Sequence, residues 1–65
     1  MINIGKKLKN MRLQNNITIL LLSNYLNTTP EYISDIENNI TPLKEEDLIK
    51  LSKLYNCDVE FFFKE

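Results

Sequence analysis

The chain contains no histidine and a single cysteine, Cys57. A disulfide within the chain and a zinc site of His and Cys ligands therefore both lack their parts. With one glycine there is no glycine-rich loop to hold a phosphate, and no cysteine stands with a base to act as a nucleophile. Paired carboxylates such as Glu45 and Glu46 take adjacent directions on a helix and point apart. These absences lead us to expect no enzyme, no cofactor and no metal. No run approaches the ~20 apolar residues of a membrane span, and the N-terminus lacks the basic-then-apolar order of a signal peptide. A reduced, cytoplasmic location away from membranes is expected, and repeats, linkers and low-complexity segments are lacking as well.

What is present is 65 residues with 43% hydrophobic and 26% charged side chains, one Gly and two Pro, the composition of one compact helical domain over residues 1–65. A domain of that size buries only roughly 60% of the surface its unfolded chain exposes, so its stability margin is small. The net charge of −1 argues mildly against a nucleic-acid partner, but its distribution is uneven. Residues 1–28 carry Lys6, Lys7, Lys9 and Arg12 and no acid, whereas residues 29–65 carry the other four lysines and all nine acids. A basic first helix on an acidic body follows.

Ile4, Leu8 and Met11 fall on one face of a helix from Asn3 to about Asn15, with Arg12 at the edge of the stripe. Thr18 is an N-cap for a second helix to about Leu26, where Asn27 suits a left-handed exit. Thr29-Pro30, with Glu31 in the first turn, starts a third helix carrying Ile33 and Ile36. Asn38 and Asn39 are its terminators, and Ile40 and Leu43 in the following loop are expected to dock on the core. Glu45-Glu46-Asp47, read as a solvated first turn, opens a fourth helix in which Leu48, Leu51 and Leu54 form the stripe, widened by Ile49 and Tyr55. Asn56 is its exit, Cys57 a small buried apolar residue, and Asp58 the cap of a last short helix from Val59 to about Lys64. The second and third helices, with a tight corner between them, outline a helix-turn-helix.

Helix one followed by T-x-x-x-L-S-x-x-L-N-T-T-x-x-x-I-S-x-x-E, then a Pro-containing loop and a leucine-rich helix, resembles the XRE family, the Cro/repressor type of helix-turn-helix DNA-binding domain. Thr18, Leu22, Leu26, Thr29, Ile33, Ser34 and Glu37 match the family's run in type and spacing. Ser23 keeps its small residue and Asn27 its αL-tolerant one. The resemblance implies an all-α, compact, five-helix Cro/repressor-like fold whose third helix, about 30–38, is the recognition helix. It also implies an ion pair between Arg12 and Glu37. An arginine beside an apolar stripe needs an acceptor, which leads independently to the same pair.

Carried over by position, the family's base-reading residues are Pro30, Glu31 and Asp35, flanked by Tyr32 and Ser34. Candidates for phosphate are the Thr18 and Thr29 hydroxyls, the Asn38 and Asn39 amides, Lys6 and Lys44, helped by the free N–H groups of two helix N-termini. Ile19 stands where the family carries Gln. Ile19 to Leu22 are four consecutive large apolar residues on a two-turn helix with one buried stripe, so one or two of Ile19, Leu20 and Leu21 must be exposed. A contiguous patch of that kind beside the expected DNA face marks a protein partner or a self-association surface.

The expectation is a small transcriptional regulator that binds operator DNA, double-stranded, as a homodimer with two recognition helices ~34 Å apart. Phe61, Phe62 and Phe63 are the candidate dimer contact, with Val59 and Phe62 or Phe63 expected to enter the core and one ring to be left over. The rival is a helix-turn-helix fold used as a protein-interaction module, an anti-regulator or the DNA-inactive partner of another regulator.

Overall fold

A computed structural model describes residues 3–64. The expected domain bounds also include residues 1, 2 and 65, which lie outside the described residues. Four α-helices, α1 (Ile4–Gln14), α2 (Ile19–Tyr25), α3 (Pro30–Glu37) and α4 (Glu45–Leu54), are followed by a 3-10 helix (Val59–Phe63). The described residues hold no strand. The expected fifth α-helix is thus a 3-10 helix, and Asp58 occupies its N-cap position without a side-chain hydrogen bond. Five residues between Asp58 and Lys64 leave room for little beyond a tight turn.

The helices start and stop as local chemistry dictates. Asn3, Thr18 and Thr29 cap α1, α2 and α3 by accepting the backbone N–H of Lys6, Leu21 and Tyr32. All four α-helices end alike, with an asparagine in the left-handed region: Asn16, Asn27, Asn39 and Asn56, at φ between 53° and 60°. In each case the next residue's N–H returns to a carbonyl five residues back: Ile17 to Arg12, Thr28 to Ser23, Ile40 to Asp35, and Cys57 to Ser52. These are four Schellman motifs, with asparagine where glycine is commonest.

Leu8, Leu22, Leu26, Ile33, Ile36, Leu51 and Phe62 form one shared core. Helix α3 lies against both α1 and α2, and the 3-10 helix closes the core against α1 and α4. Three expectations about its edge need correction. Leu43 packs on the core, but Ile40 is 70% exposed, because the Schellman turn at Asn39 carries it outward. Ile49 lies outside the α4 stripe and is exposed. Of the three phenylalanines only Phe62 is buried, leaving two rings outside, Phe61 at 42% and Phe63 at 49% exposure. Cys57 is half-buried against the core, and that burial raises its thiol pKa.

The seam between α1 and α3 sets the position of the recognition helix. Gly5 lies so close to α3 that a Cβ there would stand 2.4 Å from the Glu37 carbonyl oxygen and 2.7 Å from that of Ile36. About two turns further along α1, Arg12 is buried and bonds three ways. Its Nε donates to Glu37 Oε2 at 2.8 Å, its Nη2 to Glu37 Oε1 at 3.1 Å, and its Nη1 to the Ile17 carbonyl at 2.9 Å. The hydrogen bond to Glu37 raises the guanidinium's pKa against the opposing effect of burial. One bidentate pair therefore joins α1, α3 and the turn into α2.

Candidate nucleic-acid interface

With Ile33, Ile36 and Glu37 turned inward, α3 presents its N-terminal end to solvent. Pro30 and Glu31 are exposed, and Ser34 and Asp35 are half-buried. Thr29 is exposed while its Oγ1 accepts from the Tyr32 N–H at 3.1 Å, and Thr18 does the same for Leu21 at the start of α2. Each threonine keeps its own O–H proton to donate outward. The helix-turn-helix therefore offers two helix N-termini to solvent, each with an exposed capping threonine. Asn38 is exposed one turn beyond Ser34, with its Nδ2 3.4 Å from the serine Oγ.

Glu31 and Asp35 lie four residues apart on one flank of α3, so two carboxylates share the side on which base contacts are expected. A carboxylate in the major groove accepts from cytosine N4 and repels phosphate. The Glu31 carboxylate also lies in the first turn, where the helix dipole favours it.

Two of the expected DNA contacts are engaged within the protein instead. Asn39 Oδ1 accepts the Gly5 N–H at 3.0 Å and its Nδ2 donates to Asn3 Oδ1 at 2.7 Å, so this amide ties the N-terminus of α1 to the end of α3. Tyr32 is half-buried and turns toward α4, where its hydroxyl donates to Asp47 Oδ2 at 3.0 Å. The same oxygen accepts from the Lys44 N–H at 3.4 Å, and burial raises the phenol's pKa. Asp47, read as part of a solvated acidic turn, is 6% exposed, because the tyrosine hydroxyl gives it a partner inside the fold. Glu45 and Glu46 are exposed.

Of the basic candidates, Lys6 is exposed on α1, and Lys44 is exposed with its Nζ 5.6 Å from the centre of the Tyr32 ring. Lys7 is drawn to the far end of the chain, where it donates to the carbonyls of Phe61 and Lys64 and lies over the Phe61 ring at 4.3 Å. The basic first helix is thus partly structural, since Arg12 and Lys7 are both held by other elements.

On the outer side of α2, Leu20 and Leu21 are 61% and 57% exposed, and Ile19 packs against the core. Leu21 also lines an apolar hollow of about 200 Å³ with Ile17, Leu22, Tyr25 and Leu54. Exposed Phe63 borders a second groove of about 390 Å³ with Ile4, Ile40, Leu43 and Leu48.

Sequence reasoning missed three residues that place this surface: Gly5, Lys7 and Asp47. Gly5 carried a signal, since a glycine inside a helix costs about 1 kcal/mol relative to alanine and asks for a packing reason. Asp47 carried little, since Lys44-x-x-Asp47 has neither the Ser/Thr nor the Glu/Gln of a capping box. Lys7 carried none, its partners lying 54 and 57 residues away.

Among the described residues no helix is long and apolar enough to cross a membrane, and no three His, Cys, Asp or Glu side chains cluster as metal ligands would. A helix-turn-helix family model matches residues 8–62. Comparison with curated proteins and with solved structures gave no match. The family match runs from the middle of α1 through the 3-10 helix, across the exposed α3 and the seam that holds it, and the chain belongs to the helix-turn-helix family of DNA-binding domains, of the XRE type.

Proposed function

We propose that this chain is a small transcriptional regulator that binds operator DNA through the exposed N-terminal end of α3, as a homodimer, and acts by occupying a promoter. The observation that carries the reading is the presentation of α3. Its inner face is anchored by Ile33, Ile36 and the Arg12–Glu37 pair, while Pro30 and Glu31 stand outward at its own capped N-terminus. Thr18, Thr29, Asn38, Lys6 and Lys44 supply backbone contacts, and Pro30, Glu31, Ser34 and Asp35 face the bases. No step of this function needs catalysis, a metal or a cofactor, and the site of action is the cytoplasm.

Exposed Phe61 and Phe63 and the groove beside Phe63 support a dimer that would bring two recognition helices ~34 Å apart. The test is a mobility-shift titration on duplexes from the chain's own promoter region, repeated across salt. Binding that weakens with salt supports the reading, and a folded protein that leaves every duplex free at low salt overturns it.

One observation favours a second reading, a fold used to bind another protein. Leu20, Leu21 and Tyr25 are all exposed on α2, and the next helix carries the carboxylates of Glu31 and Asp35. If Glu31→Gln with Asp35→Asn leaves DNA affinity unchanged, and Leu21→Gln dissolves a protein complex, this second reading replaces the first.

A further inference from the structure

Helix α4 begins without a side-chain cap. Its N-cap residue is Lys44, and no side-chain oxygen accepts for the first turn from that position. Asp47 occupies the third helical position, from which an acid ordinarily reaches back to the N-cap N–H and completes a capping box. Here the Tyr32 hydroxyl, arriving from α3, stands between the two. It accepts from the Lys44 N–H at 3.4 Å and donates to Asp47 Oδ2 at 3.0 Å. Asp47 is 6% exposed, so its carboxylate depends on that proton. The Lys44 ammonium meanwhile rests 5.6 Å from the centre of the same tyrosine ring. Backbone and side chain of Lys44 are thus both referenced to one residue of the recognition helix.

The geometry points to Tyr32 as a positioning residue: with Asp47 it latches the start of α4 to α3 and sets where Lys44 meets the DNA backbone. Tyr32 reads no base in this arrangement, since its polar atom is directed into the protein. The latch transmits the placement of α3 in the groove to a phosphate contact twelve residues further along the chain. This inference rests on the DNA-binding reading above.

The test uses the full chain and a duplex that it selects from a random-sequence library, with affinity followed by anisotropy over roughly 50 to 200 mM salt. All measurements are made at a temperature where circular dichroism finds every variant folded. Tyr32→Phe removes the hydroxyl and keeps the ring. It is expected to lower the slope of log affinity against log salt by about 0.9, the share of one phosphate contact. Lys44→Gln is expected to lower the slope equally, and the double variant no further. Asp47→Asn, which still accepts the tyrosine proton, keeps the wild-type slope, whereas Asp47→Ala behaves as Tyr32→Phe.

A Tyr32→Phe protein that melts earlier with an unchanged slope overturns the inference in favour of a purely structural role. An unchanged slope with lost preference for the selected duplex over a scrambled one overturns it in favour of base reading. Slope losses that add in the double variant also overturn it, by giving Tyr32 a phosphate of its own. A folded wild-type protein that enriches no duplex removes the DNA reading, and the latch's role falls with it.

Discussion

The seam between α1 and α3 and the outer side of α2 are built on opposite terms. At the seam each side chain answers to a neighbour within a few ångströms. Gly5 clears two carbonyls, Arg12 meets Glu37 and Ile17, and Asn39 meets Gly5 and Asn3. On α2, the Leu20 and Leu21 side chains are more than half exposed and answer to no hydrogen bond or charge of the fold. The contrast separates residues chosen by the fold from residues that the fold leaves free. It also divides the consequences of mutation, which should be large and structural at the seam and small for stability on α2.

The strongest way to break the comparison is at Arg12. Arg12→Ala leaves Glu37 charged and buried without a partner, at a cost of about 3–5 kcal/mol. At roughly 0.05–0.15 kcal/mol per residue a domain of this size holds only about 3–10 kcal/mol, so the loss takes a third or more of it, and urea denaturation should find the midpoint sharply lowered. Replacing both partners, Arg12→Met with Glu37→Leu, should restore most of the loss, because no buried charge remains. Next comes Gly5→Ala, which improves helix propensity yet drives a methyl group toward two carbonyl oxygens. Overpacking of that kind costs about 1–3 kcal/mol and should lower the melting temperature despite the better helix former.

Most helix ends were readable in the sequence because capping is local, although α4 and the 3-10 helix begin without a side-chain cap. Thr18, Thr29-Pro30 and the asparagines at 16, 27, 39 and 56 act on backbone groups within five residues of themselves. The core was readable for a related reason, since Leu8, Leu22, Leu26, Ile33, Ile36 and Leu51 recur with the helical period. What escaped was decided across the fold. The Asn39 amide is engaged 34 residues away, the Tyr32 hydroxyl 15 residues away, and the Lys7 ammonium more than 50. The Asn39 amide and the Tyr32 hydroxyl looked available for DNA until another helix arrived beside each. The candidate interface was therefore readable as a location, at α3, but not in its membership.

A smaller effect is expected at the edge of the seam, where Tyr55 feels both charges of the ion pair. Its hydroxyl is buried and finds no hydrogen-bond partner among the described residues. Burial, with the Glu37 carboxylate adding to it and Arg12 opposing, pushes its pKa up to about 12. The unfolded chain gives up this proton near pH 10, before the folded one does. The contribution of Tyr55 is thus complete below about pH 10 and is lost as pH rises toward about 12. Tyr55→Phe should leave the protein as stable at neutral pH or more so, by under about 1 kcal/mol, since no hydrogen bond is broken. Urea midpoints followed from pH 9 to 12 should fall less steeply in the variant, at a scale of about two pH units.

The smallest change in stability is expected at Leu21, and it is the most informative about the exposed side. Leu21 is the third residue of α2, and its N–H is the one that Thr18 caps. A glutamine there would complete a capping box with Thr18, at similar helix propensity and with less apolar surface in water. The fold alone therefore gives no reason for leucine at this position, and Leu21→Gln should shift stability by no more than about 0.5 kcal/mol. Because the substitution adds no charge, it should leave the affinity for DNA and its salt dependence where they were. Any self-association or complex that weakens in the variant, measured by sedimentation on protein of unchanged melting temperature, assigns the leucine to a protein contact. A melting temperature several degrees lower would show instead that Leu21 belongs with the seam, as a residue whose identity the fold requires.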